Sequence, residues 1–209
     1  MSGILWSVPR SRIHELLALA EENDGLLTSK QARDEGIVDS VLVRLAQRGK
    51  LERISRGVYR SPYYPVNRLS QYREAILWAK ASHGPQQIAL SHETAFAAYG
   101  ISDANPSRVH ITVPRNARLR RSQPKWIVLH RGALLTAEVT VHEGLPITSI
   151  EKTVFDVLTS TGKVDFIRKA ITDARKEGYL SATEAARLRR RVATYAKRLG
   201  RASKLREAS

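Results

Sequence analysis

The order of the patterns within residues 11–60 constrains the fold more than any other feature of the sequence. Residues 11–23 have helical spacing, and Thr28 is a predicted N-cap for a short helix over residues 29–35. Residues 38–48 have apolar side chains at i, i+3, i+4 and i+7, which predicts a third helix with one buried face. The predicted core residues of that face are Val38, Val41, Leu42 and Leu45.

A two-stranded hairpin pattern follows the third helix. Residues 51–54 and 58–60 read as strands, and Gly57 supplies the turn between them. Three short helices followed by a hairpin predict a winged helix-turn-helix, in which the third helix is offered to the major groove and the hairpin is the wing. We therefore expect a winged-helix domain over residues 1–62 and a second domain over residues 63–209.

The third helix and the wing carry side chains suited to DNA. With Asp39 or Ser40 as the expected cap, the outward residues of this helix are Ser40, Arg44, Gln47 and Arg48. Arginine pairs with guanine edges and glutamine with adenine, so these residues predict base readout. The predicted phosphate or minor-groove contacts are Arg53, Arg56 and Arg60 in the wing, joined by Thr28 and Lys30 at the second helix. A protein-docking scaffold with solvated arginines is the alternative.

The overall charge favours a polyanionic partner. The 209 residues carry a formal net charge of +15, which attracts nucleic acids and other acidic molecules. The sequence has no cysteine, which excludes disulfides and thiolate chemistry, and a cytoplasmic protein is the expectation. No run of about 18 apolar residues occurs, so we expect neither a membrane span nor a membrane partner.

Residues 63–209 alternate between helical and strand patterns. Residues 109–113 and 126–132 read as strands, and residues 148–151 and 181–184 have the spacing of capping boxes that open helices. This mixture predicts an α+β domain with a small sheet and C-terminal helices, and an α+β class for the whole chain.

Motifs for catalysis and cofactors do not occur in the sequence. There is no phosphate-binding glycine loop, no protein-kinase signature and no nucleophile elbow. The segment "SHETAF" begins like a zinc motif but has Phe96 where the second histidine would stand, and the six histidines lack metal-ligand spacing. We therefore predict no catalytic residue, no cofactor and no metal, and hold an atypical enzyme as an alternative.

Several segments resemble one family, the AbiEi-type antitoxins of abortive-infection, type IV toxin–antitoxin systems, and the sequence is similar to actinobacterial and mycobacterial members. The resemblance covers residues 13–177. The segments that carry it are "LLTSKQARDEGI", "RLAQRGKLERISRGVYRSP", "ALSHETAFAAYGIS", "VHITVP" and "GLPITSIEKTVFDVL". It implies a winged helix that binds operator DNA and represses its own operon, and a C-terminal domain required for antitoxin action.

The resemblance also implies a partner, a nucleotidyltransferase-like toxin encoded alongside. We expect two copies of the chain on an operator with inverted repeats, because a single module reads a short half-site. Two alternatives stay open: an atypical serine/threonine kinase that inactivates the toxin by phosphoryl transfer from ATP, and an antitoxin that acts by protein–protein binding alone.

Two further basic clusters lie outside the winged helix. One occupies a predicted loop and the other the last helix. The candidate toxin or phosphate contacts are Arg115, Arg118, Arg120 and Arg121 in the loop, and Arg187, Arg190 and Arg191 in the helix. A solvated charged face is the alternative for both.

Overall fold

The computed structural model describes residues 10–83, 87–118 and 122–207. The first of these ranges forms one compact unit, and the other two together form a second. The described residues contain eight α-helices and two β-sheets, which confirms the predicted α+β class. None of the described helices is both long enough and apolar enough to cross a membrane.

The first unit has the predicted winged-helix order with one more strand and one more helix. Its elements are α1 (Arg10–Glu21), β1 (Leu26–Thr28), α2 (Ser29–Asp34), α3 (Asp39–Gln47), β2 (Glu52–Ser55), β3 (Val58–Arg60) and α4 (Ser70–His83). The buried core includes Leu16, Ala20, Leu27, Leu42, Leu45 and Tyr59. Each large apolar side chain buried here contributes about 1.5–3 kcal/mol.

Strand β1 is a feature that the sequence patterns did not predict. Leu27 of β1 lies opposite Tyr59 of β3, and β3 is the centre of an antiparallel sheet with the order β1-β3-β2. A strand of three residues is too short to show a period of two, and it runs directly into α2. Thr28 therefore ends a strand and caps a helix at once.

The caps of the two helices of the helix-turn-helix differ from each other. The Thr28 side chain accepts from the backbone N–H of Gln31 at 3.1 Å, and the Gln31 side chain accepts from the Thr28 N–H at 2.9 Å. The predicted Thr28 cap is confirmed. The prediction for α3 was wrong, because Val38 is its N-cap, and the Asp39 carboxylate accepts from Arg33 instead. Val38, predicted to lie in the core, is 60% exposed.

The described part of the second unit contains a five-stranded mixed sheet, four α-helices and a short 3-10 helix (Thr136–Glu138). Its elements are β4 (Ala89–Leu90), α5 (His92–Tyr99), β5 (Val109–Val113), β6 (Ile127–Arg131), β7 (Val139–His142), β8 (Leu145–Thr148), α6 (Ile150–Thr161), α7 (Val164–Lys176) and α8 (Ala182–Glu207). The strand order is β6-β5-β4-β8-β7, with β5–β6 and β4–β8 parallel. Helix α5 packs on β5 and α6, and α7 packs on α6 and α8.

One of the two predicted capping boxes is confirmed. Ahead of α8, the Ser181 hydroxyl accepts from the Glu184 N–H at 3.2 Å, and the Glu184 carboxylate accepts from the Ser181 N–H at 2.8 Å. The box at residues 148–151 was a wrong prediction, since Ser149 accepts from the Lys152 N–H and is the cap of α6. Thr148 instead ends β8, and its hydroxyl lies 2.7 Å from that of Thr153.

Candidate nucleic-acid interface

Helix α3 buries one face and presents the other to solvent. Val41, Leu42 and Leu45 are buried, whereas the predicted readout residues lie on the opposite side. Among the latter, Ser40, Gln47 and Arg48 are exposed and Arg44 is half-buried. Arg44 donates from Nε to the Ser40 carbonyl at 3.3 Å, and within residues 10–83 no carboxylate pairs with Arg44 or Arg48. Their guanidinium charges therefore remain available to a ligand.

An exposed ion pair joins helix α2 to the start of α3. Arg33 donates from Nη1 to both carboxylate oxygens of Asp39, at 2.7 and 2.9 Å. Lys30 pairs with Asp34 one turn along the same helix at 2.7 Å, but its side chain is 78% exposed. An exposed pair of this kind contributes little to stability, so Lys30 can exchange its partner for a phosphate at small cost.

The wing is the β2–β3 hairpin, with Gly57 at a φ of +74° in its turn. A side chain at that φ would be strained, which explains the glycine. The β2–β3 pairing shifts register between Arg53 and Ser55, as expected at a β-bulge. Arg53 and Arg56 are both exposed.

Arg60 differs from the other two wing arginines. Its Nη2 donates to Glu52, directly across the strands, at 2.6 Å, and its Nη1 donates to Glu74 of α4 at 2.6 Å. The side chains of Arg60 and Glu74 are only 22% and 10% exposed. Burial raises the pKa of the Glu74 carboxyl, and the guanidinium of Arg60 opposes that rise. Arg60 therefore ties β2, β3 and α4 together.

A cleft of about 590 Å³ lies between α2, α3, the wing and α4. We call it the basic cleft, and its charged lining is Lys30, Arg33, Asp39, Arg53, Arg56 and Lys80. Five of these six side chains are basic, which makes the cleft suited to a phosphate backbone. Sequence reasoning missed Arg33 and Lys80. Lys80 lies on the exposed side of α4, but its place beside the wing depends on how α4 packs.

Two of the three candidate arginines of α8 are engaged within the second unit. Arg187 donates to Glu151 of α6 at 3.1 Å, and Arg191 donates to the same carboxylate. The Arg191 guanidinium also lies over the Phe155 ring, 4.6 Å from its centroid. The guanidinium groups of Arg187 and Arg191 therefore already have partners on α6.

The remaining arginine candidates differ in whether the structure describes them. Arg190 of α8 and Arg115 and Arg118 of the β5–β6 connection are exposed. Arg120 and Arg121 lie outside the described residues.

Comparison with known proteins gives the chain a family. Residues 14–62 match the family model "Transcriptional regulator, AbiEi antitoxin", and residues 88–207 match "AbiEi antitoxin C-terminal domain". The chain belongs to the AbiEi antitoxin family. This confirms the resemblance read from the sequence, and it makes the chain an antitoxin with a transcriptional-regulator domain.

A solved structure supports the fold of this AbiEi antitoxin. The "RV2827C protein from Mycobacterium tuberculosis" aligns with a TM-score of 0.56 at 17% sequence identity. The alignment covers 87% of the antitoxin chain and 72% of the other chain. At this identity the likeness shows the fold alone. No curated protein matches the sequence.

The antitoxin also brings together three histidines that sequence spacing did not connect. His92, His110 and His130 come from α5, β5 and β6, and their ring nitrogens lie within 4.8 Å of one another. Burial lowers the pKa of His92 to about 3 and that of His130 to about 4, and it lowers the pKa of His110 as well. The sequence offered one signal of this cluster, since two of the predicted strands each contain a histidine. Which strands pair with each other cannot be read from a single sequence.

Proposed function

We propose that this AbiEi antitoxin binds operator DNA through helix α3 and the wing and thereby represses its own operon. The observation that carries the proposal is the solvent-facing side of α3, where Arg44 and Arg48 have no carboxylate partner within residues 10–83. Arg44, Gln47, Arg48 and Ser40 face base edges in this account. Helix α3 is the recognition helix, in keeping with the winged helix-turn-helix architecture.

The basic cleft supplies the backbone contacts in this proposal. Arg53, Arg56, Lys30 and Lys80 neutralise phosphates, and each such contact adds to the salt dependence of binding. Arg60 and Thr28 act indirectly, because the first is held by two carboxylates and the second caps α2. The operator contains inverted repeats, and two copies of the antitoxin occupy it, one on each half-site.

A reporter experiment tests the repression. The DNA upstream of the antitoxin's own gene drives a reporter, and the full-length protein is supplied from a second plasmid. We expect the wild type to repress, and the variant Arg44→Ala/Gln47→Ala to lose repression at the same protein level. Arg190→Ala on α8 is the matched control and is expected to repress like the wild type. Reporter activity that does not change with the wild-type protein would refute autorepression.

We also propose a partner, a nucleotidyltransferase-like toxin encoded beside the antitoxin. The support is membership of the antitoxin family together with the exposed Arg115, Arg118 and Arg190 of the second unit, which suit an acidic toxin surface or its nucleic-acid target. Co-expression tests this: the wild type restores growth in the presence of the toxin, Arg115→Glu/Arg190→Glu restores it poorly, and the DNA-binding variant Arg44→Ala restores it fully. Equal rescue by all three proteins would remove these arginines from the toxin contact.

A second assay distinguishes neutralisation by binding from neutralisation by phosphorylation of the toxin. Incubation of antitoxin, toxin and γ-labelled ATP leaves the toxin unlabelled if neutralisation works by binding, and co-purification then recovers a complex. Label on the toxin would instead establish the kinase alternative.

A further inference from the structure

His110 and His130 lie on one face of the five-stranded sheet, and His92 at the start of α5 lies next to them. Strands β5 and β6 run parallel, and His130 lies opposite Thr112, two residues beyond His110 on the same side of β5. His110 Nδ1 and His130 Nε2 are 3.1 Å apart. Nitrogens that share a tetrahedral zinc ion at about 2.0–2.1 Å lie about 3.3 Å from each other, so this pair already has the spacing of two ligands.

His92 is held toward this pair by an unusual backbone and by two hydroxyl groups. It has a φ of +53°, although it is not glycine, and its side chain is buried. Ser91 Oγ lies 3.0 Å from His92 Nδ1 and accepts from the Thr112 hydroxyl at 2.8 Å. If Nδ1 carries the proton and donates to Ser91, the lone pair is on Nε2. An outer hydrogen bond of this kind orients histidine ligands in metal sites.

The surroundings favour a neutral ligand set. Lys152 of α6 acts electrostatically on both His92 and His130, but its ammonium is paired with Asp156. Asp156 Oδ2 is buried and has no hydrogen-bond partner among the described residues. The lysine charge is thus offset within its own helix, and within the cluster one hydrogen bond joins His110 to His130. The left-handed backbone of the buried His92 is strained, and a bound ligand would offset that strain.

We propose that His92, His110 and His130 bind one transition-metal ion of the zinc class. The ligand atoms are His92 Nε2, His110 Nδ1 and His130 Nε2, and imidazole nitrogen selects zinc, copper, nickel or iron over magnesium or calcium. Three protein ligands leave a fourth position open to water or to a substrate group. The site lies in the second unit and is independent of the proposed DNA binding.

Binding requires one local rearrangement. The rings of His92 and His130 are stacked, with centroids 3.5 Å apart and planes inclined by 15°. A metal ion lies in the plane of each imidazole that binds it, so the two planes must diverge. Rotation of the His130 ring about χ2, which has a broad energy profile, allows this movement without a change of backbone and leaves the contact of His92 with Ser91 in place.

Cobalt titration of the full-length protein tests the site. The protein is purified without a polyhistidine tag, stripped with a chelator, and titrated with Co²⁺ and then Zn²⁺. We expect one Co²⁺ per chain, visible absorption of four-coordinate intensity, and its loss on addition of one equivalent of Zn²⁺. Absence of saturable binding at one ion per chain would overturn the proposal.

Two ligand variants and a matched histidine control locate the ion. His110→Asn and His130→Asn are expected to weaken Zn²⁺ binding at least about 10- to 100-fold, since even outer-shell changes have effects of that size. His142→Asn, on β7 of the same sheet, is expected to bind like the wild type. Equal affinity of all four proteins would place the ion elsewhere and overturn the proposal.

A measurement on the wild type does not depend on whether the variants fold. Nuclear magnetic resonance of the protein labelled with ¹⁵N in histidine rings follows each ring nitrogen as Zn²⁺ is added. We expect large shifts at His92, His110 and His130 at one equivalent and small ones at His14 and His142. Shifts confined to other histidines would contradict the assignment.

Discussion

Helix α3, together with its C-cap Arg48, and helix α8 both carry candidate arginines, and they differ in what surrounds the guanidinium groups. On α8, Arg187 and Arg191 share the carboxylate of Glu151 on the neighbouring helix. Arg44 of α3 and the C-cap residue Arg48 have no carboxylate partner within residues 10–83. The number of arginines on a helix therefore says little about ligand binding, and the acids that neighbouring elements bring near them decide which charges remain available.

The same contrast recurs on a smaller scale within the wing. Arg53 and Arg60 lie on paired strands, yet Arg53 is exposed whereas Arg60 contacts Glu52 and Glu74. One arginine is free to reach a phosphate, and the other stabilises the junction of the wing with α4. The two contrasts predict measurable differences between variants.

The largest effect is expected for Arg60→Ala. Its loss leaves the buried Glu74 carboxylate without its guanidinium, and breaking a buried pair costs about 3 kcal/mol of the free energy of unfolding. Chemical denaturation measures the change, with Arg53→Ala as the control that alters stability by less than about 0.5 kcal/mol. Equal stability of the two variants would mean that Arg60 is not a structural residue.

Arg44→Ala is expected to remove sequence preference. A side chain that reads a base edge contributes about 1–3 kcal/mol of discrimination, so the ratio of affinities for operator and scrambled DNA falls about 5- to 150-fold. Fluorescence anisotropy with the two duplexes measures the ratio. A fall in affinity that is the same on both duplexes would assign Arg44 to the phosphate backbone.

Arg53→Ala is expected to weaken binding to every duplex by the same factor. It removes one phosphate contact, so the slope of log K against log salt becomes shallower by about 0.9. Titrations on operator and scrambled DNA at four salt concentrations check both statements. A loss of affinity restricted to the operator would show that the wing, and not α3 alone, reads the DNA sequence.

The smallest effect is expected for Arg187→Gln on α8. Its pair with Glu151 is exposed, so the free energy of unfolding falls by less than about 1 kcal/mol. The salt slope of DNA binding stays unchanged, in contrast to Arg53→Ala. A slope reduced by about 0.9 would show instead that α8 contacts phosphates.

The local features of the fold were predictable because their signals are local. The spacing of Val41, Leu42 and Leu45 predicted α3, and the Thr28 cap was readable from a hydroxyl ahead of a helical segment. The predicted N-cap of α3 was wrong, and the Asp39 carboxylate accepts a hydrogen bond from Arg33, six residues earlier. A competing charge partner of that kind is not visible in helix spacing.

The candidate sites were predictable only in part because their partners are distant in sequence. Arg60 meets Glu74 fourteen residues later, and Arg187 meets Glu151 thirty-six residues earlier. The histidine cluster joins two adjacent strands and the start of a helix, and one sequence does not reveal which strands pair. The exposed face of α3 was readable, since it follows directly from the buried face.

Titration of the full-length antitoxin against the DNA upstream of its own gene tests the central claim most directly. A scrambled duplex of equal length is the control, at near-physiological salt. The account predicts a preference of about a thousandfold for the upstream DNA, the lower end of specific recognition. Equal and weak binding to both duplexes would contradict it, because the charge of +15 would then act without reading sequence.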